Sequence, residues 1–158
     1  MSRIRRTNQE LLNASEQLHY EYTMLLRLAQ LLEYDAFGEG IVQNALLESF
    51  IRRVHNLLSF LYPVEPDHED VIAADYYENA DDWKDFCPRI STVLKKARKR
   101  SGYDVGGIAY SRGPFDDSAW KYSQLVDEIE YVFRRFLTTV PPSNISRIWD
   151  GLREMYGG

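Results

Sequence analysis

Four residues able to do chemistry recur at helical spacing in one stretch of the sequence: Glu48, Arg52, His55 and Ser59, separated by four, three and four positions. That spacing sets side chains on one face of a helix. Asn44 and Asn56 flank the row, and His55 can exchange a proton near neutral pH. Read functionally, the row is a polar constellation in a groove between helices, with Asn44, Glu48 and His55 as candidate ligand-binding residues. Read structurally, Glu48 and Arg52 form an i,i+4 ion pair worth a few tenths of a kcal/mol on a solvated face. Apolar residues crowd both sides of the row, so part of it can be buried at a helix or subunit interface. The structural reading is the stronger of the two.

Other constellations carry less. Glu16-x-x-His19 has the spacing by which helical bundles point two ligands at one metal, but such sites need a second copy. The other match, Glu65-x-x-His68, contains Pro66 and falls in a loop. No metal and no cofactor is expected. Cys87 sits at an expected helix start, where a thiol pKa falls, yet a lone cysteine between Phe86 and Pro88 reads as packing. Nucleophile-elbow, P-loop and dinucleotide motifs do not occur. The glycines between Gly102 and Gly107 follow a helix rather than precede one, so no helix N-terminus stands ready for a phosphate there.

A basic run without an acid holds Arg89, Lys95, Lys96, Arg98, Lys99 and Arg100. Lys95, Lys96, Arg98, Lys99 and Arg100 are the candidates for nucleic-acid contact. The same helix must bury Ile90, Val93, Leu94 and Ala97, which turns its lysines outward in any case. The acidic stretch 65–85 competes for that charge.

These residues need elements to hold them. Leu11, Ser15, Leu18, Tyr22, Leu25, Ala29 and Leu32 alternate at spacings of four and three, which predicts a helix over residues 8–34. Thr7 or Asn8 can cap it, and Gly38 and Gly40 mark its end. Leu47, Ile51, Val54, Leu58 and Leu61 seam a second helix over 41–62, stopped by Pro63. So short a link predicts an antiparallel pair. The acidic stretch is irregular, with one helical turn at 71–77. A third helix is expected over 88–100 with Pro88 in its first turn, then a loop, SGYDVGGIAYSRGP. A fourth runs from a cap at Asp116 or Asp117 to about residue 138 and carries Tyr122, Leu125, Ile129, Val132 and Phe136. Pro141 and Pro142 break it, and Ser143 can cap a short last helix. The expectation is an all-α fold: a four- to five-helix bundle built on a long antiparallel helical hairpin.

Composition agrees. A chain of 158 residues is about one domain, since domains commonly run to roughly 100–200 residues. A single domain over 1–158 is expected, with 1–7 as a flexible basic segment carrying Arg3, Arg5 and Arg6. Aromatics make up 13%, enough to fill a core. One cysteine excludes a disulfide framework. A net charge of −5 gives no global attraction to nucleic acid or anionic membrane. The opening residues lack the apolar core of a signal peptide, and no run reaches the roughly 18 apolar residues of a membrane span. A soluble, cytoplasmic protein is the expectation.

The pattern NALLESFIRRVHNLLSFLY over 44–62, with Asn44, Glu48, Phe50, Leu57 and Phe60 the most telling, resembles bacterial helical proteins related to the HEPN superfamily. The resemblance extends over about residues 20–136 and rests on a diffuse pattern. It implies a four- to five-helix bundle that dimerises, in a toxin–antitoxin or defence setting. Many members are metal-independent ribonucleases whose Arg is followed after four to six residues by a His. Counted from Arg100, that His would stand near Gly106 or Gly107, and neither moves a proton. Arg52 and Arg53 precede His55 too closely. The expected function is therefore a non-catalytic HEPN-like bundle, a homodimer acting through protein or RNA contacts. The alternative is a ribonuclease with a non-standard acid–base residue, with His55, Arg52 and Arg100 as catalytic candidates. A small-molecule or metal-binding bundle is the third reading.

Overall fold

The computed structural model describes residues 3–105 and 120–157, and among these the chain is all-α. Six α-helices are present in the described residues: α1 (Asn8–Glu33), α2 (Ile41–Leu61), α3 (Asp82–Phe86), α4 (Thr92–Asp104), α5 (Tyr122–Thr139) and α6 (Asp150–Met155). Short 3-10 turns lie at Ala73–Tyr76, Pro142–Asn144 and Arg147–Trp149. No described helix is long and apolar enough to cross a membrane.

α1 begins at a full capping box. The Thr7 hydroxyl accepts from the Glu10 amide, and the Glu10 carboxylate accepts from the Thr7 amide at 2.7 Å. This satisfies two of the donors a helix start leaves open. All seven seam residues of α1 are buried, as are all five of α2 with Phe50, Leu57 and Phe60 beside them. The link between the two helices turns through Gly38 and Gly40, both at positive φ, where a side chain would be strained. α1 meets α2 at Glu21, which bonds Arg53 and Asn56, and Ala14, Gln17, Asn56 and Ser59 line one cleft between the two helices.

The core is aromatic, and Phe136 of α5 lies at its centre. Its ring stands 5.2 Å from Phe60, 5.7 Å from Tyr76 and 5.8 Å from Trp83, each edge-on, the arrangement ring quadrupoles favour. Polar tips reach backbone acceptors: Tyr76 donates to the Leu11 carbonyl, Trp83 to that of Leu61 and Trp149 to that of Ser15. These bonds tie the irregular segments onto α1 and α2.

Several boundaries differ from expectation. The third helix does not start at Pro88. α3 ends at Phe86, and α4 begins at Thr92 under a Ser91 cap whose hydroxyl accepts from the Leu94 amide. Pro88 instead offers its carbonyl to the Tyr62 hydroxyl at 2.7 Å. Residues 101–104 continue α4 rather than opening a loop, because Ser101 packs inward on the face of Leu94 and Ala97. α5 starts at Tyr122; the proposed caps Asp116 and Asp117 lie outside the described residues, as do Gly106 and Gly107. Ser143 caps no helix; Ser146 caps the last 3-10 turn instead. The basic segment is anchored from Arg3 onward: its guanidinium bonds both Asp75 carboxylate oxygens and the Asp67 and Asp70 carbonyls.

Candidate functional site

Ala14, Gln17 and Glu21 of α1 and Asn56 and Ser59 of α2 line a cleft beside the packed pair of helices. Residues 63–71 leave α2 at Pro63 and form the far wall, and Arg98 reaches in from α4. The result is a cleft of about 570 Å³. Arg3 holds the wall in place through the Asp67 and Asp70 carbonyls.

The polar row of α2 divides at this cleft. His55, Asn56 and Ser59 line it, whereas Asn44, Glu48 and Arg52 are exposed on the part of the helix outside it. Glu48 and Arg52 make no ion pair with each other among the described residues, so the pair expected from their spacing does not form. His55 is half-buried against Gly102 of α4, and its Nδ1 is enclosed without a hydrogen-bond partner. Burial, and then the nearby Arg52 charge, push its pKa below the ordinary imidazole value. Both causes favour the neutral imidazole over the charged one.

Charges around the cleft are unevenly answered. The Glu21 carboxylate meets Arg53 at 3.2 Å and accepts from Asn56 at 3.3 Å. Asp70 accepts from the Asp67 amide at 2.9 Å, within reach of the Arg3 charge. Arg98 donates to the Tyr62 carbonyl at 3.1 Å, and among the described residues no carboxylate pairs with it.

The remaining basic residues of α4 go two ways. Arg100 is taken up by Asp104 one turn on, at 3.2 Å. Lys95, Lys96 and Lys99 are exposed and unpaired among the described residues. With half-exposed Tyr103 they cover the face opposite Leu94, Ala97 and Ser101. No α4 cation pairs with the acidic stretch, whose Asp75 is answered by Arg3.

The other candidates resolve as packing. His19 stands edge-on to Trp149 at 5.0 Å, and Glu16 accepts from Ser146. His68 is exposed beside Glu69. Among the described residues, no three His, Cys, Asp or Glu side chains gather as a metal site would require. Cys87 follows the end of α3 rather than opening a helix, and burial raises its thiol pKa, the reverse of activation. Sequence reasoning passed over Glu21, Gln17, Tyr62 and Asp70. Glu21 alone left a signal, one acid among apolar neighbours facing the α2 stripe.

No protein-family model, curated protein or solved structure matches the chain, so function is argued from its own geometry.

Proposed function

We propose that the chain is a non-catalytic, HEPN-like four- to five-helix bundle, built on the antiparallel hairpin of α1 and α2, that contacts RNA through the solvent face of α4. The observation that carries the reading is the division of the basic run. Arg100 is held by Asp104, while among the described residues Lys95, Lys96 and Lys99 remain unpaired on one face with Tyr103 beside them. Lysines on one face attract phosphates without reading sequence, and an exposed ring can stack an unpaired base. A protein of net charge −5 needs such a local surface for contact with a polyanion. Fluorescence anisotropy with a single-stranded RNA tests this: binding should fall when all three lysines are changed to Gln. Unchanged affinity would sink the reading. The homodimer implied by the resemblance belongs to the same proposal, and light scattering showing a monomer at high micromolar concentration would remove it.

A second reading has one observation in its favour: His55 and Arg98 line the same cleft. A neutral imidazole beside a guanidinium is a composition suited to RNA 2′-hydroxyl chemistry without metal. Cleavage of mixed RNA in the presence of chelator, abolished in His55→Ala, would replace the first reading with this one.

A further inference from the structure

The cleft and the lysine face lie on different sides of α4, and the cleft has its own chemistry. Its volume, about 570 Å³, falls within the roughly 300–1,000 Å³ of small-molecule sites. Leu18, Phe60, Val64 and Val71 give it apolar walls. Its two acids already have partners: Glu21 has Arg53 and Asn56, and Asp70 has the Asp67 amide with Arg3 nearby. Arg98 is the lining cation, and its one side-chain hydrogen bond among the described residues goes to a neutral carbonyl. A guanidinium has five N–H donors, so most of its capacity is unspent.

Other donors surround it. Ser59 and His55 make no side-chain hydrogen bond among the described residues, and Gln17 makes none across the cleft mouth. Ser15 and Ser101 turn their hydroxyls back to a carbonyl of their own helix. Ser59, like Ser49, makes no such bond among the described residues, and it lines the cleft. Partly enclosed polar groups left without partners are costly unless water or a ligand meets them.

We propose that this cleft is a binding site for a small organic anion, a carboxylate or phosphate head on a compact apolar body, with Arg98 as the anchor and Ser59 and His55 as neutral partners. The head sits against Arg98, the cation of the cleft lining, which has no carboxylate paired to it among the described residues. The body lies on Leu18, Phe60 and Val71. Glu21 stays with Arg53 and Asp70 keeps its bond from the Asp67 amide, and both carboxylates repel a second anionic group, which limits the ligand to one head. The proposal is independent of RNA contact at Lys95, Lys96 and Lys99.

Amide NMR of the full chain, titrated with four small aromatic probes, tests it. Phenyl phosphate and benzoate carry the two anionic heads, benzylamine carries a cation and benzyl alcohol carries no charge. Saturable shifts at residues 56, 59 and 98 are expected with one or both anions, and the tighter anion assigns the head. Arg98→Gln should weaken that binding at least about tenfold, the scale of a lost charge-assisted hydrogen bond. Arg147→Gln, at an exposed position outside the cleft lining, should leave it unchanged. Benzylamine or benzyl alcohol binding as tightly as the anions overturns the proposal, as does no saturable shift at millimolar probe. A folded Arg98→Gln that still binds also overturns it. Should Arg98→Gln not fold, since it also loses its bond to Tyr62, the comparison of the four probes on the unaltered chain decides.

Discussion

Ser15 and Trp149 lie 134 positions apart, and the indole N–H of Trp149 donates to the Ser15 carbonyl at 2.8 Å. The Ser15 hydroxyl also accepts from the Ser146 amide at 2.9 Å while donating to the Leu12 carbonyl. Both Ser15 and Trp149 are fully buried. One serine on α1 thus fixes the C-terminal segment by two bonds. Ser15→Ala keeps the helix but strands the Ser146 amide, so it should cost about 1–3 kcal/mol in urea unfolding. Trp149→Ala, which also empties the stack on Tyr22 and Phe133, should cost about 3–5 kcal/mol. A Ser15→Ala change within experimental error of zero would show that the segment is held by packing alone.

That serine marks the limit of what periodicity reveals. Its place in the apolar stripe of α1 was legible, because a buried position must fit the 3.6-residue repeat whatever its type. Its partner was not, since Ser146 lies where a short helix capped by Ser143 was expected, and spacing within a helix names no partner on another one. The seams of α1, α2 and α5 were legible for the same reason. Pro88 misled because its fit to a first helical turn is only permissive, and Ser91 supplied a better cap three residues later. Half of the α2 polar row reached the cleft because the walls of that cleft come from Arg98, Glu21 and residues 63–71, whose meeting is tertiary. The two-way fate of the basic run hinged on Asp104, one turn beyond Arg100.

Arg3 makes four bonds across more than sixty positions, to Asp75 and to two carbonyls of the loop that walls the cleft. Asp75 is mostly buried and Arg3 less than a quarter exposed, so this pair is screened less than a surface ion pair. Arg3→Ala should lower stability by about 1–2 kcal/mol. It should also open residues 63–71 to limited proteolysis before the rest of the chain. Cleavage beginning elsewhere, with the loop still protected, would count against the anchoring role.

Gly102 lies inside α4, where glycine costs about 0.5–1 kcal/mol relative to alanine. A Cβ built there meets His55 Cε1 at 3.6 Å and Nδ1 at 3.7 Å, ordinary contact distances. Gly102→Ala should therefore stabilise the protein by about 0.5 kcal/mol. Destabilisation in a chemical denaturation curve would mean that the His55 ring needs more room than this contact allows.

His55 and His19 are both held below the ordinary imidazole value of 6.5 by burial, His55 also by Arg52. The unfolded chain then binds more protons than the folded one just below that value, so stability rises with pH through the window. Stability is fully present above about pH 6.5 and is lost as pH falls toward the lower folded-state values. The melting temperature should drop as pH falls below about 6.5, and His55→Gln should remove part of that drop, leaving the share of His19. Superimposable pH profiles for the two proteins would contradict the buried, neutral placement of His55.

Lys95, Lys96 and Lys99 give the RNA reading a quantitative signature. Each phosphate neutralised on a single strand adds about −0.7 to the slope of log affinity against log salt. If all three lysines touch phosphate, changing them to Gln should make the slope shallower by about 2 and weaken binding at least about tenfold at low salt. Arg100→Gln should have little effect on either, because Asp104 already offsets that charge. Tyr103→Ala, in contrast, should reduce affinity without altering the slope, since stacking releases no counter-ions. A slope that responds to Arg100 and not to the lysines would move the contact away from this face of α4.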